Sequence, residues 1–187
     1  METLPYNKAS SESIYNYALK LVNKTFRDIL ENDNKSENML KEDEESYNNY
    51  SGKGKLGNLV EEKYFLYKAN NKSEADFPEA GLELKVTPIV KNNKGQLRAK
   101  ERLVLGMIDY EKDWQEPDFI QSHIYKKCAL MLLINYLYEP TKERLDYIIK
   151  FVTLFKLPKE DLEIIKNDYK IIIDKIKARK SSRIIRR

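Results

Sequence analysis

Residues Leu130-Met131-Leu132-Leu133-Ile134-Asn135-Tyr136-Leu137 form an almost unbroken apolar run. It is far too short to span a bilayer and has the look of a central strand covered on both faces. A strand of that kind requires layers above and below it, and the rest of the chain offers them. Ser10 or Ser11 can cap a helix reaching to about residue 30, with Ile14, Ala18, Leu21, Thr25 and Ile29 on one stripe. A second helix begins near Leu56, carries Glu61 and has Leu59, Phe65 and Leu66 available for the core. A hairpin follows: strand 81–90, a turn at Asn92-Asn93-Lys94-Gly95, and strand 97–109. A further strand is expected over 147–155. Pro158 then opens a last helix with Leu162, Ile165, Tyr169, Ile172 and Ile176 on one side. The order describes an α/β fold, a central mixed sheet with flanking helices, and no internal repeat is visible.

Composition narrows the function classes. A chain of 187 residues suits one domain, here 1–187, with a core of its own. The single cysteine, Cys128, excludes an intrachain disulfide, and its neighbours Ala129, Leu130 and Met131 suggest a buried thiol. One histidine, His123, cannot build a His-rich zinc site. It can serve as a general base, although a packing or helix-start role is the preferred reading. The N-terminus is polar and no apolar run approaches membrane-spanning length, so a soluble, cytoplasmic bacterial protein with no membrane partner is expected. The net charge of +4 is more than accounted for by seven Lys or Arg in a basic tail, 175–187. Such a tail can touch phosphates, but a solvated helix end is the commoner case. Segment 31–54 is polar, a candidate mobile loop that could clamp a ligand or simply be disordered. Tyr47 and Tyr50 beside Lys53 and Lys55 could stack on bases, though such tyrosines are more often amphipathic surface residues. Trp114 reads as structural.

The chemistry concentrates between residues 53 and 88. Glu83 and Lys85 stand two apart in the run Leu82, Leu84, Val86, so on a strand their side chains share a face. Asp76 lies seven residues upstream, before Pro78 and Gly81, where the chain can turn its carboxylate back beside the strand. Carboxylates so placed suit a hard divalent cation. Taken alone, D-x6-E-x-K is more often a solvated strand face carrying a cross-strand ion pair than a catalytic site.

The surrounding residues are more specific. Gly54-Lys55-Leu56-Gly57-Asn58-Leu59-Val60-Glu61 resembles the G-x-x-G-x-x-x-E helix of the MutH family and of the GATC-cutting type II restriction endonucleases related to it. Asp76-Phe77-Pro78-Glu79-Ala80-Gly81-Leu82-Glu83-Leu84-Lys85-Val86-Thr87-Pro88 is similar to the family's D-F-x-x-x-G-V-E-L-K-x-x-P block. Lys100-Glu101-Arg102-Leu103-Val104-Leu105 and Ile108-Asp109-Tyr110-Glu111-Lys112 resemble the restriction branch more than the mismatch-repair branch. Ser122-His123-Ile124-Tyr125-Lys126-Lys127 is similar to a family segment that ends in a functional lysine. The resemblance covers about residues 10 to 178 and implies a PD-(D/E)xK nuclease fold. It implies that Asp76 and Glu83 hold Mg²⁺, with Mn²⁺ able to substitute, and that Glu61 completes the acidic cluster directly or through a water. Lys85 would orient the attacking water and Lys127 would supply a second cation, although an ordinary surface lysine remains an equal reading of Lys127.

Double-stranded DNA is then the expected partner. The family's base-reading segment should begin near residue 187, so a catalytic domain within a longer chain is expected. The remaining C-terminal recognition or regulatory region would confer specificity on a parent enzyme cutting at GATC, and the domain by itself is expected to show weak or absent sequence-specific cutting. Two alternatives stand beside this reading: a mismatch-repair nickase summoned by a partner ATPase, and a DNA-binding or regulatory module without catalysis.

Overall fold

The computed structural model describes residues 4–31, 46–47, 54–67, 74–115 and 118–184, with side chains described as far as residue 180. Four strands form one mixed sheet in the order β2-β1-β3-β4. They are β1 (Glu83–Lys91), β2 (Leu97–Ala99), β3 (Met131–Leu137) and β4 (Ile148–Phe155). β1 runs parallel to β3, and both outer pairings are antiparallel. The apolar run therefore lies in the middle, and its two faces feed two cores. Leu132 and Ile134 join Ile14, Leu21, Phe26, Leu59, Phe77 and Ile149 on one side. Met131 and the partly buried Leu133 join Cys128, Tyr169, Ile173 and Ile176 on the other. Alternation along a strand enforces this division.

The first expected helix is two. α1 (Ser11–Ala18) begins at the Ser10 cap, whose side chain accepts from the Ser13 amide, and passes through a 3₁₀ turn, Leu19–Leu21. The chain then breaks at Asn23, which has φ of 65°, and restarts as α2 (Phe26–Glu31). The break has a local cause. Asp28 Oδ2 accepts from the Thr25 amide at 2.7 Å, and Thr25 Oγ1 accepts from the Asp28 amide at 3.1 Å, a reciprocal cap that starts a new helix. Thr25 also bridges Ile148, a tertiary contact that no helical stripe discloses.

α3 (Lys55–Leu59) runs into a π-helical turn, Val60–Tyr64, that carries Glu61. Tyrosines lock this turn onto α1: Tyr64 Oη donates to the Tyr17 carbonyl at 2.7 Å with the two rings stacked at 4.5 Å, and Tyr6 Oη donates to the Phe65 carbonyl at 2.6 Å. Phe65 is fully buried, whereas Leu66 adopts φ of 53° and is 50% exposed, so it is not the core residue expected.

The second hairpin strand is the largest departure. Among the described residues only Leu97–Ala99 forms the antiparallel ladder with β1, and 101–109 run on without one. Alternating Leu103 and Leu105 imitate a strand because they pack into the second core, not because a neighbour supplies backbone partners. α4 (His123–Cys128), capped by Ser122, was not foreseen as an element, although His123 does stand at its start. α5 (Lys159–Ile184) extends the last helix through much of the basic segment, and Ile173 adds to its buried face. Cys128 is buried, and burial pushes its thiol up, away from nucleophile chemistry. Trp114 is structural: its indole donates to the Glu111 carbonyl at 2.9 Å and Lys180 lies over its ring. Tyr47 is buried beside Lys55 and is no surface stacking platform. Tyr50, Lys53 and nearly all of segment 31–54 lie outside the described residues.

Candidate active site

Asp76 reaches the sheet through a compact turn. Pro78–Ala80 forms one 3₁₀ turn, and Gly81 takes φ of 59°, a left-handed conformation that costs other L-residues about 1–2 kcal/mol. Phe77 and Leu82 then pair across the turn. This folds Asp76 back until its Oδ2 accepts from the Leu84 amide at 2.8 Å. The carboxylate is thus fixed at the first residues of β1.

Glu83 and Lys85 share a face of β1, in register with Met131 and Leu133 of β3, and turn away from the core that takes Leu84 and Val86. Glu83 is 3% exposed, which removes the solvated-face reading. Lys85 Nζ lies 2.8 Å from Glu83 Oε1, and Lys127 Nζ, from α4, lies 3.6 Å from the same oxygen. Two elements far apart in sequence therefore bring two ammonium groups to one carboxylate. The other oxygen, Glu83 Oε2, is buried without a hydrogen-bond partner among the described residues. An orphaned carboxylate oxygen is costly in a protein interior.

Like charge builds up around it. Burial, and secondly the neighbouring Glu83, raise Asp76 above the ordinary carboxylate range; the Leu84 amide, Lys127 and Lys85 oppose the shift. Glu61 is pushed up to about 7, first by burial and then by Asp76, Glu83 and Glu62. The structure therefore brings all five expected residues into one electrostatic neighbourhood. No three His, Cys, Asp or Glu side chains among the described residues already close into a metal-binding group. Mg²⁺ commonly takes only one or two carboxylates, completing its shell with water and substrate oxygens. Asp76 and Glu83 are two carboxylates that could serve such an ion, and Glu61 stands near enough to feel both charges.

The raised Glu61 has a consequence for stability. A carboxyl whose pKa is higher folded than unfolded contributes stability that is present below its ordinary value of 4.5 and lost as pH rises through about 7. Glu61→Gln is accordingly expected to stabilise the metal-free protein at pH 8 by on the order of 1 kcal/mol after solvent screening, a Tm rise of about 2–4 °C, with the benefit vanishing near pH 4.5. Thermal melts in EDTA at the two pH values check this; equal shifts at both would contradict the charge argument.

Glu83, Lys85 and Lys127 open into a cleft of about 790 Å³, walled elsewhere by residues 101–109, Lys112 and His123. Glu61 and Asp76 do not line it. Sequence reasoning took 101–109 for part of a hairpin strand and not for the wall of this cleft. It also passed over Asp113, which is buried and contacts His123.

A central mixed sheet with a returning aspartate, a Glu-x-Lys strand and a lysine-bearing helix defines a class, and comparison with known proteins agrees. The family described as DNA mismatch repair enzyme MutH matches residues 65–168. The chain belongs to the MutH family and has a MutH-like nuclease fold. Among curated proteins it is similar to the type II restriction enzyme Sau3AI of Staphylococcus aureus, with 40% identity over 113 residues, 59% of this chain and 23% of that enzyme. The chain thus spans less than a quarter of that relative's length. No helix among the described residues is long and apolar enough to cross a membrane.

Proposed function

We propose that this chain is the catalytic domain of a Mg²⁺-dependent, type II restriction endonuclease that hydrolyses phosphodiester bonds of double-stranded DNA, with GATC as the site cut by the parent enzyme. The observation that carries the reading is Glu83: a buried carboxylate with one oxygen held by Lys85 and Lys127 and the other without a hydrogen-bond partner among the described residues. Relief of that orphaned oxygen, and of repulsion among Glu83, Asp76 and Glu61, is what a bound divalent cation offers. Asp76 and Glu83 would hold it, with Glu61 contributing directly or through a water. When bound, the ion supplies charge neutralisation at the scissile phosphate and a lowered pKa for an attacking water.

The remaining work falls to the chain's own groups. Lys85 donates toward the attacking water and toward the phosphoryl oxygens as negative charge grows there; a fixed donor in a partly dry site gives its largest benefit at that stage. Lys127 places a second cation on the phosphate. The Leu84 amide holds the Asp76 carboxylate in place. Water oxygen bonds to phosphorus and gives up a proton to solvent, the bond from phosphorus to the 3′ oxygen breaks and that oxygen takes up a proton, and the products are a 5′-phosphate and a 3′-hydroxyl. The similarity to Sau3AI favours the restriction reading, and the MutH description of the family keeps a mismatch-repair nickase as the second. Cleavage of a GATC duplex by the full-length protein, in Mg²⁺ and in EDTA, tests the proposal. Metal-dependent double-strand cutting without added proteins is expected, nicking only with a partner ATPase would favour the second reading, and DNA binding without cleavage under any metal would refute both.

A further inference from the structure

The wall of the cleft facing the active-site residues lies outside the four-stranded sheet. Segment 101–109 follows β2 without pairing to any strand among the described residues. Leu103, Leu105 and Ile108 pack inward, while Val104 and Met107 stand 65% and 83% exposed. Exposed apolar side chains on an unpaired segment would ordinarily leave it loose.

A polar clasp fixes it. His123 Nδ1 lies 3.1 Å from Asp113 Oδ1, and His123 Nε2 lies 3.2 Å from the Met107 carbonyl; both neighbours are acceptors, so the ring grips the two at once when each of its nitrogens carries a hydrogen. Asp113 in turn accepts from the Asp109 amide through Oδ2 at 2.7 Å, and its own amide donates to the Asp109 carbonyl at 2.9 Å. Gly106 rests on α4, where an added Cβ would meet Ile124 Cγ1 at 3.5 Å. His123 and Lys127 are four residues apart on α4, hence on one face, and both line the cleft. One short helix therefore carries an active-site lysine and grips the opposite wall.

We infer that His123 is a positioning residue for DNA: by holding the Met107 backbone, with Asp113 steadying the ring, it keeps segment 101–109 as the preformed wall against which the duplex lies. This rests on the nuclease reading of the cleft. Arg102 and Lys112, which also line it, are placed for phosphates, and Val104 and Met107 for the apolar parts of sugars and base edges. Ordering even one or two backbone residues at the moment of binding consumes about a decade of affinity, so a wall fixed beforehand tightens the complex without altering the bond-breaking step.

Two substitutions separate this role from simple support of the helix start. His123→Gln keeps an amide donor near the Nε2 position, toward Met107, whereas His123→Asn keeps one near Nδ1, toward Asp113. In the Asn variant, hydrogen exchange at the Asp109 amide, which Asp113 Oδ2 holds at 2.7 Å, is expected to accelerate about tenfold, and the Kd of the full-length protein for a short duplex to rise about tenfold. In a full-length enzyme the loss should fall on KM and spare kcat. The Gln variant should stay close to wild type in both measurements. Equal behaviour of the two variants, or faster exchange in the Asn variant with unchanged duplex affinity, overturns the inference. Failure of the full-length wild-type protein to bind duplex overturns the nuclease reading and this one with it, an outcome recognisable because exchange protection of the Asp109 amide would persist.

Discussion

Lys85→Ala is expected to lower the single-turnover rate of DNA cleavage by about 10²–10³-fold, the range seen when one fixed donor to developing charge is removed. The effect should be confined to chemistry. Lys85 is the nearer of the two ammonium groups on Glu83 Oε1, at 2.8 Å against 3.6 Å for Lys127, so its removal leaves Glu83 with one cationic neighbour and frees an oxygen for metal. Divalent-ion affinity should therefore hold or rise while cleavage collapses. Calorimetric titration with Mn²⁺ beside quench-flow cleavage separates the two quantities. Parallel loss of both would mean that Lys85 only props up the carboxylate. Lys85→Arg should not rescue, because a planar guanidinium cannot replace a compact ammonium at the same point.

Asp76→Ala is expected to weaken divalent-ion binding by more than the roughly 10–100-fold that accompanies loss of a supporting residue around a metal. Alanine removes a proposed ligand and also the acceptor of the Leu84 amide, leaving a backbone donor unpaired at a cost of about 1–3 kcal/mol. Asp76→Asn isolates the electrostatic part. Its amide oxygen can still accept from Leu84, and removal of the charge relieves the mutual repulsion with Glu83 and Glu61. The Asn variant should melt at or above the wild-type temperature in EDTA and still bind Mn²⁺ poorly. Normal Mn²⁺ binding by a folded Asn variant would remove Asp76 from the ligand set.

The site was largely legible because its parts are local. Two-residue spacing on a strand fixes the shared face of Glu83 and Lys85, and Pro78 with Gly81 signals the turn that returns Asp76. Lys127 was legible only through family resemblance. Nothing within α4 indicates that the helix delivers an ammonium to Glu83, since that meeting depends on how α4 packs beside β1 and β3. Segment 101–109 misled for a related reason: its alternating apolar residues satisfy a packing surface, and alternation does not report whether a neighbouring backbone is present to complete a ladder. The single long helix expected before residue 30 failed where Thr25 found Asp28 and Ile148, one contact local and the other 123 positions away.

By itself the sequence determined the layered α/β class, the central strand Met131–Leu137, the turn at Gly81 and the order of the acidic and basic groups, because each follows from periodicity or from the conformations a residue can adopt. Tertiary structure alone decided that Glu83 is buried with one oxygen lacking a partner among the described residues, that Lys127 stands beside it, and that His123 and Asp113 meet at the wall 101–109. Burial and charge proximity are properties of surfaces brought together by packing, and the linear pattern specifies only which side each residue presents.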